Sequence, residues 1–249
     1  MNWFKFSAPS TFYPLAGRLI PWFAALAALF GGVGLWIGLV VAPTDFQQGE
    51  AYRIIFIHVG AAWMSMFIYL VMAFWGGMGL AFKTRLSGMM TEALAPTGTM
   101  FAFLSLWTGA LWGRPTWGAW WIWDARLTSS LILLFLYIGF IALTRAIDDP
   151  RRADRAGAVL LLVGVVNVPI IYFSVQWWNT LHQPASLSVG KGSSMAAIML
   201  WGMLLCTVAM WMYSIALTLA RVRTIILVRE RHTDWVRALL AALPAQNSR

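Results

Sequence analysis

Apolar residues along the chain form six long runs, which are separated by short polar segments. A transmembrane helix needs roughly 20 consecutive, mostly apolar residues, and the runs are close to that length. They cover approximately Leu19–Ala42, Ile54–Phe82, Ala95–Leu111, Thr128–Ala146, Gly157–Trp177 and Met195–Leu219. The pattern predicts an all-α, polytopic membrane bundle of six transmembrane helices, with residues 1–249 forming a single membrane domain.

Lysine and arginine are distributed unequally between the two sides of this predicted bundle. Six spans put both termini on one side, and the segments of that side carry 14 of the 18 basic residues. Basic residues concentrate in cytoplasmic loops, so we expect both termini to be cytoplasmic, with a cytoplasmic tail over 220–249. The loops expected to face outward are 43–53, 112–127 and 178–194.

The composition agrees with a membrane protein rather than a soluble one. Hydrophobic residues make up 60% of the chain and charged residues only 11%, against about 25% charged in a typical soluble domain. The net charge of +9 comes from short clusters between apolar runs, which disfavours nucleic acid as a partner and indicates membrane lipid. No P-loop is found, so any ATPase activity would reside in another chain.

Tryptophan is concentrated in the second outward loop. Five of the 16 tryptophans lie between Trp112 and Trp123, where a uniform distribution would place less than one. An aromatic belt at the membrane interface would explain one or two per helix end. The alternative is a flat apolar platform for a planar ligand, since indole rings bury much apolar area when they stack.

Spacing within this loop suggests how such a platform would be built. Trp117, Trp120 and Trp121 are spaced i, i+3 and i+4, so a helical turn would place them on one face, with Asp124 at i+7. The Asp124 carboxylate would cap a helix or pair with a nearby arginine. Gly118 would allow a ligand or backbone to approach closely.

Two of the three histidines, His58 and His182, belong to the outer side, while His232 lies in the tail as a solvated residue. Each of the outer two could be a hydrogen-bonded structural residue. As a pair they are too few for a zinc site but match the two axial positions of a haem iron. Arg53, Arg126 and Arg114 could bind carboxylates in a bidentate manner or extend to interfacial water.

These segments together resemble a known family. Trp117–Asp124 reads WGAWWIWD and matches the WGxxWxWD signature of haem-handling membrane proteins, and Gln47–His58 (QQGEAYRIIFIH) and Gln176–Gln183 (QWWNTLHQ) are similar as well. Over essentially its whole length the chain resembles the haem exporter protein C family of the bacterial cytochrome c maturation system.

The resemblance implies the ligand and the partners. His58 and His182 would be the axial ligands of haem b, and Arg53 and Arg126 would correspond to the family's arginines. Its signature residues are expected to contact the macrocycle: Trp117, Gly118, Trp120, Trp121, Trp123 and Asp124. Expected partners are the ATP-binding cassette pair, maturation proteins A and B, together with the small single-span maturation protein D and the periplasmic haem chaperone, maturation protein E.

The expected role is therefore a non-enzymatic, haem-transfer component of an ATP-binding cassette complex in the bacterial inner membrane, with its site on the periplasmic side. Neutral imidazole is the form that binds a metal, so haem binding should weaken as the pH falls through about 6.5 or below. Two other functions stay open. A transmembrane cytochrome b usually needs four histidines, and a permease would usually carry ionisable residues inside its spans.

Overall fold

The computed structural model describes residues 7–182, 187–188, 192–193 and 195–242. Eight α-helices lie within these ranges: α1 (Pro9–Trp36), α2 (Ile55–Phe82), α3 (Arg85–Trp117), α4 (Ala125–Arg145), α5 (Pro150–Gly164), α6 (Asn167–Trp177), α7 (Ala197–Arg229) and α8 (Asp234–Ala241). Strands β1 (Leu187–Ser188) and β2 (Gly192–Ser193) pair antiparallel, with Leu187 opposite Ser193. Six helical segments are long and apolar enough to cross a membrane, which confirms the predicted all-α class and its six spans.

The observed helices differ from the apolar runs mainly at their ends. Helix α3 covers 33 residues instead of the predicted Ala95–Leu111, because it continues through the polar turns that begin at Arg85. At its other end Trp112–Trp117 are helical, so the segment joining α3 to α4 is only Gly118–Asp124. Helix α7 likewise extends to Arg229, and α8 follows within the predicted tail.

The fifth span consists of two helices, α5 and α6, with a break at Val165–Val166. Pro169 follows this break and lacks the N–H that a continuous helix would bond to the carbonyl four residues earlier. The Asn167 side chain donates a 2.8 Å hydrogen bond to the Ser129 carbonyl of α4. This bond joins the start of α6 to α4, while the Val165 carbonyl at the break accepts the backbone N–H of Val168 at 3.0 Å.

Helices α2 and α3 pack against each other and form the centre of the bundle, with α7 on one side and α4 and α5 on the other. Their shared core is apolar and includes Met64, Met72, Phe101, Leu133 and Leu161. Tyr137 is fully buried in this core and donates a 2.6 Å hydrogen bond to the Ser65 carbonyl of α2, which joins α4 to α2.

Helix α1 is peripheral and packs mainly along α7. At Gly34 a Cβ would lie 2.8 Å from the backbone nitrogen and the sulfur of Cys206, so the missing side chain allows the two helices to touch. Cys206 is buried and free. Trp22 and Trp36 project outward with most of their surface exposed.

The bundle has two chemically different ends. We call the end that carries residues 43–54, Gly118–Asp124 and Trp178–His182 the tryptophan end. The opposite end, with the Lys83–Thr84 turn, the 146–149 turn and the C-terminal end of α7, is called the arginine end. That the tryptophan end faces outward stays a prediction from the count of basic residues.

Candidate functional site

His58 lies near the start of α2 at the tryptophan end and is buried, with 8% of its surface exposed. Its Nδ1 is 3.0 Å from the Thr108 hydroxyl of α3. That hydroxyl donates its only hydrogen to the Leu104 carbonyl at 2.6 Å, so it accepts from His58. The proton is therefore assigned to Nδ1, which leaves the Nε2 lone pair available to a metal.

His182 follows α6 and faces His58 across the tryptophan end. The centres of the two imidazole rings are 6.4 Å apart, and their planes meet at 31°. An imidazole nitrogen binds a transition metal at about 2 Å, so two imidazoles on opposite sides of one ion have ring centres roughly 6 Å apart. The observed distance between the ring centres matches that expected for one metal ion between the rings.

Two small cavities flank this histidine pair. One, of about 30 Å³, is lined on its far side by Arg126, Ser130 and Ile171. The other, of about 40 Å³, is lined by Trp112 and Trp117 among others. Both are bounded by His58, Leu127 and His182. A planar ligand lying between the imidazoles would extend into both cavities, with an arginine at one edge and indoles at the other.

The volumes of these cavities are much smaller than the roughly 300–1,000 Å³ of a typical cofactor site. A ligand as large as haem therefore requires the walls to separate. His182 is the wall residue that no helix fixes, because it follows the end of α6 at Trp177. Among the described residues, no cluster of three or more His, Cys, Asp or Glu could hold a metal.

Asp124 links the tryptophan-rich segment to His182. One carboxylate oxygen accepts a 2.7 Å hydrogen bond from the backbone N–H of Leu127 and caps α4, which is one of the two roles expected from the sequence. The other oxygen accepts a hydrogen bond from the Thr180 hydroxyl. The oxygen of that hydroxyl in turn accepts the backbone N–H of His182 at 3.0 Å. The carboxylate thereby fixes the turn that carries His182.

The tryptophans divide between the inside and the surface of the site. The predicted helical turn carrying Trp117, Trp120 and Trp121 is wrong, because α3 ends at Trp117 and Gly118 takes a left-handed conformation with φ 78°. The ring centre of Trp117 lies 5.9 Å from that of His182. Trp120 and Trp123 are 57% and 75% exposed.

Gly118 has a conformational role, and the close approach of a ligand expected there stays a prediction. Nothing lies within 4 Å of the position a Cβ would occupy there, but the positive φ favours glycine. Trp121 is half-buried and its ring packs edge-on against Trp123. Its indole nitrogen is buried without a hydrogen-bond partner among the described residues, so a polar ligand group could still satisfy it.

The three arginines considered at this end are in different surroundings. Arg126 is half-buried and lines the cavity that both histidines share. Arg53 is engaged elsewhere, since it pairs with Glu50 and donates a 2.5 Å hydrogen bond to the Gly38 carbonyl. Arg114 donates to the Gly118 carbonyl and closes the end of α3. Only Arg126, of these three, reaches the histidine pair directly.

Three residues outside the sequence motif also contribute to the site. Thr108 holds the His58 ring, and its hydroxyl within an apolar run was the available signal. Trp112 packs edge-on against His58 at 5.6 Å between ring centres and donates a 2.8 Å bond to Gln48. At Gly109 a Cβ would lie 3.0 Å from the His58 ring, so this glycine makes room for the imidazole.

Comparison with known proteins yields consistent matches over nearly the whole chain. Residues 2–237 match the family described as Heme exporter protein C. The chain is 44% identical to Heme exporter protein C of Escherichia coli strain K12 over 237 residues, or 95% of both proteins. It is 48% identical to the protein of that name from Bradyrhizobium diazoefficiens over 221 residues, which cover 89% of this chain and 84% of the relative.

A more distant source gives a similar result. A mitochondrial protein of Marchantia polymorpha that is named for cytochrome c biosynthesis is 45% identical over 167 residues, or 67% of this chain and 68% of the relative.

Proposed function

The chain belongs to the haem exporter protein C family, and we propose that it binds haem b at the tryptophan end and presents it to a haem chaperone during cytochrome c biogenesis. The names of its relatives support haem handling and cytochrome c biogenesis. The observation that carries the proposal is the pair of imidazoles, whose ring centres are 6.4 Å apart between two cavities.

His58 and His182 are the proposed axial ligands of the iron. With the proton on Nδ1 and directed at Thr108, the Nε2 of His58 would be unprotonated, which is the state that ligation requires. Thr180 and Asp124 hold the backbone of His182. Arg126 is the residue proposed for a propionate, because a guanidinium binds a carboxylate in a bidentate manner. Arg53, already paired with Glu50, would act only after that pair opens.

The exposed indoles of Trp120 and Trp123 support an open edge of the site. We propose that maturation protein E docks there and takes haem through a vinyl group, so the bond-forming chemistry belongs to haem and the chaperone. Trp117 and Trp121 would contact the macrocycle. This chain would be the non-enzymatic component of a complex with the ATP-binding cassette pair, maturation proteins A and B, and with maturation protein D. The complex would lie in the bacterial inner membrane, with the tryptophan end periplasmic.

Absorption spectroscopy of the purified protein tests the ligand assignment. We expect a b-type spectrum with bis-histidine character, and we expect His58→Ala and His182→Ala each to lose it. His232→Ala is the matched control, because this histidine lies at the arginine end and should leave the spectrum intact. If both single variants retain the wild-type spectrum, the ligand assignment is wrong.

Chaperone capture tests the docking face separately. Trp123→Ala should reduce crosslinking of the chaperone to the haem-loaded protein while the haem spectrum persists. Trp22→Ala is the control. It removes an indole from the surface of α1 that is 71% exposed, against 75% for Trp123, and it should not change crosslinking. Equal crosslinking by the two variants would remove the docking role from the tryptophan end.

A further inference from the structure

A second and much larger cavity lies at the arginine end, remote from the histidine pair. It has a volume of about 670 Å³ and is partly open to the surface, which is the size of a site for a whole organic molecule. Helices α2, α3 and α5 and the C-terminal end of α7 form its walls. Its lining includes four apolar residues, which we call the floor: Trp75, Leu80, Met89 and Ala158.

Ion pairs build the inner wall of this cavity. Arg229 of α7 bonds both oxygens of Asp154 on α5 at 2.8 and 3.0 Å and pairs with Glu92 of α3 at 2.5 Å. Arg85 pairs with Glu230, which is 3% exposed, at 2.6 Å. These contacts join three helices and pair two arginines with three carboxylates, so they are structural and leave no positive charge free for an anionic ligand.

Three cationic side chains at the mouth of the cavity take no part in these ion pairs. Lys83, Arg151 and Arg155 line it and are solvent-exposed, and within the described residues their side chains make no hydrogen bond or ion pair. Arg151 and Arg155 are four residues apart on α5 and therefore share one helix face. The remaining acid of the lining, Asp149, caps α5 through the backbone N–H of Arg152. The mouth thus carries excess positive charge.

Lys83 provides an independent indication that this mouth is specialised. It is the one non-glycine residue with positive φ among the described residues, at 54°, and it ends α2 in a position that usually carries glycine. A lysine here is conformationally strained, and strain of this kind concentrates at functional sites. Its chain brings an ammonium group to the cavity mouth that glycine would not supply.

We propose that this cavity binds an anionic phospholipid of the adjacent leaflet. Its phosphate would be held by Lys83, Arg151 and Arg155, and its apolar part would lie against Trp75 and Leu80. An apolar floor below a cationic rim matches an amphiphilic anion, and basic pockets between helix ends on the cytoplasmic side bind acidic lipid headgroups. This lipid site is separate from the proposed haem function. It depends only on the proposed orientation, in which the tryptophan end is periplasmic.

Native mass spectrometry of the full-length protein with phosphatidylglycerol and phosphatidylcholine tests this site. We expect preferential retention of phosphatidylglycerol, which Arg155→Gln lowers about five-fold. Arg152→Gln is the matched control, because Arg152 is an exposed arginine on the same helix but does not line the cavity. Equal loss in both variants, or equal retention of the two lipids by the wild type, would overturn the proposal.

Lys83→Gly separates binding from folding. Glycine adopts the left-handed conformation without strain, so the thermal stability of this variant should not fall, whereas phosphatidylglycerol retention should fall about five-fold. Unchanged retention would remove Lys83 from the site.

Inorganic phosphate distinguishes a lipid site from a phosphate site. We expect millimolar phosphate to leave the lipid bound and Leu80→Ala to weaken it, since the apolar floor contributes to binding. Displacement by phosphate alone would contradict a lipid ligand. Lipid retention that is the same in every variant would overturn the proposal. His58→Ala should keep the lipid, so failure of the haem assignment would be recognised separately.

Discussion

The carboxylate of Asp124 accepts a hydrogen bond from the hydroxyl of Thr180, and that hydroxyl oxygen accepts the backbone N–H of His182. The same carboxylate caps α4. An acidic residue of the tryptophan-rich motif therefore acts on the opposite wall of the site, where it positions a histidine that no helix supports. On the proposed function, Asp124 contributes to haem binding through His182 and not by contact with the macrocycle.

Thr180→Val removes the hydroxyl at nearly constant volume. The turn carrying His182 then loses its link to Asp124, and we expect haem to be retained about ten-fold more weakly, the lower end of what outer-shell partners of metal ligands contribute. Haem titration measures this. Thr144→Val, which removes a hydroxyl bonded only within α4, should behave as the wild type. Identical haem affinity in the two variants would contradict the positioning role.

Thr108→Val should act on the other histidine. Without the hydroxyl, the buried His58 ring loses the side-chain partner of its Nδ1, so the ring orientation is less firmly fixed. We expect haem affinity to fall about 10- to 100-fold and the low-spin spectrum to weaken. Thr99→Val, on the same helix with a hydroxyl bonded to the Ala95 carbonyl, is the control, and a normal spectrum in Thr108→Val would contradict the positioning role of Thr108.

Gly109→Ala tests the space in front of His58. The new methyl group would lie 3.0 Å from the ring, so the imidazole must shift by a few tenths of an ångström and the axial bond should be distorted. We expect a shifted haem spectrum with nearly unchanged thermal stability. At Gly139 a methyl group meets nothing within 4 Å, so Gly139→Ala should keep the spectrum and gain about 0.5–1 kcal/mol of helix stability.

Arg126→Gln and Arg53→Gln should separate the two arginines. Arg126 lines the cavity of the histidine pair, so losing its charge-assisted bonds should weaken haem binding about ten-fold, since hydrogen bonds to charged groups contribute about 1.5–3 kcal/mol. Arg53 bonds Glu50 and the Gly38 carbonyl, so its replacement should lower the unfolding temperature more than the haem affinity. The reverse order in haem titration and thermal unfolding would exchange the two roles.

Gly34→Ala tests the packing of α1. Its methyl group would meet the backbone of Cys206 on α7 at 2.8 Å, which forces the two helices apart and should cost about 1–3 kcal/mol. Gly32→Ala on the same helix meets nothing within 4 Å and should be neutral or slightly stabilising. Thermal unfolding in detergent micelles measures both, and equal stability would show that α1 and α7 need no close contact.

Hydropathy alone determined the six spans, because each span must bury its backbone polar groups in a helix of membrane length, which is a local property of the sequence. It misplaced the ends of α3 and α7, since polar turns such as the one that begins at Arg85 continue the helix beyond the apolar run. Motif resemblance also identified His58 and His182 as a pair, which the structure brings together.

Only the tertiary structure decided how these residues are supported. His58 meets Thr108 across 50 positions of the sequence, and Asp124 meets Thr180 across 56. Contacts of this kind depend on how helices pack, and no periodicity records them. Gly118 is an example of a residue whose effect the spacing did not reveal. The spacing of the tryptophans predicted a helical turn that continues through Gly118. Its positive φ instead ends α3 there, and Trp120 and Trp123 lie at the surface. The sequence determined which residues are present at this end, and helix packing determined which of them face the histidines.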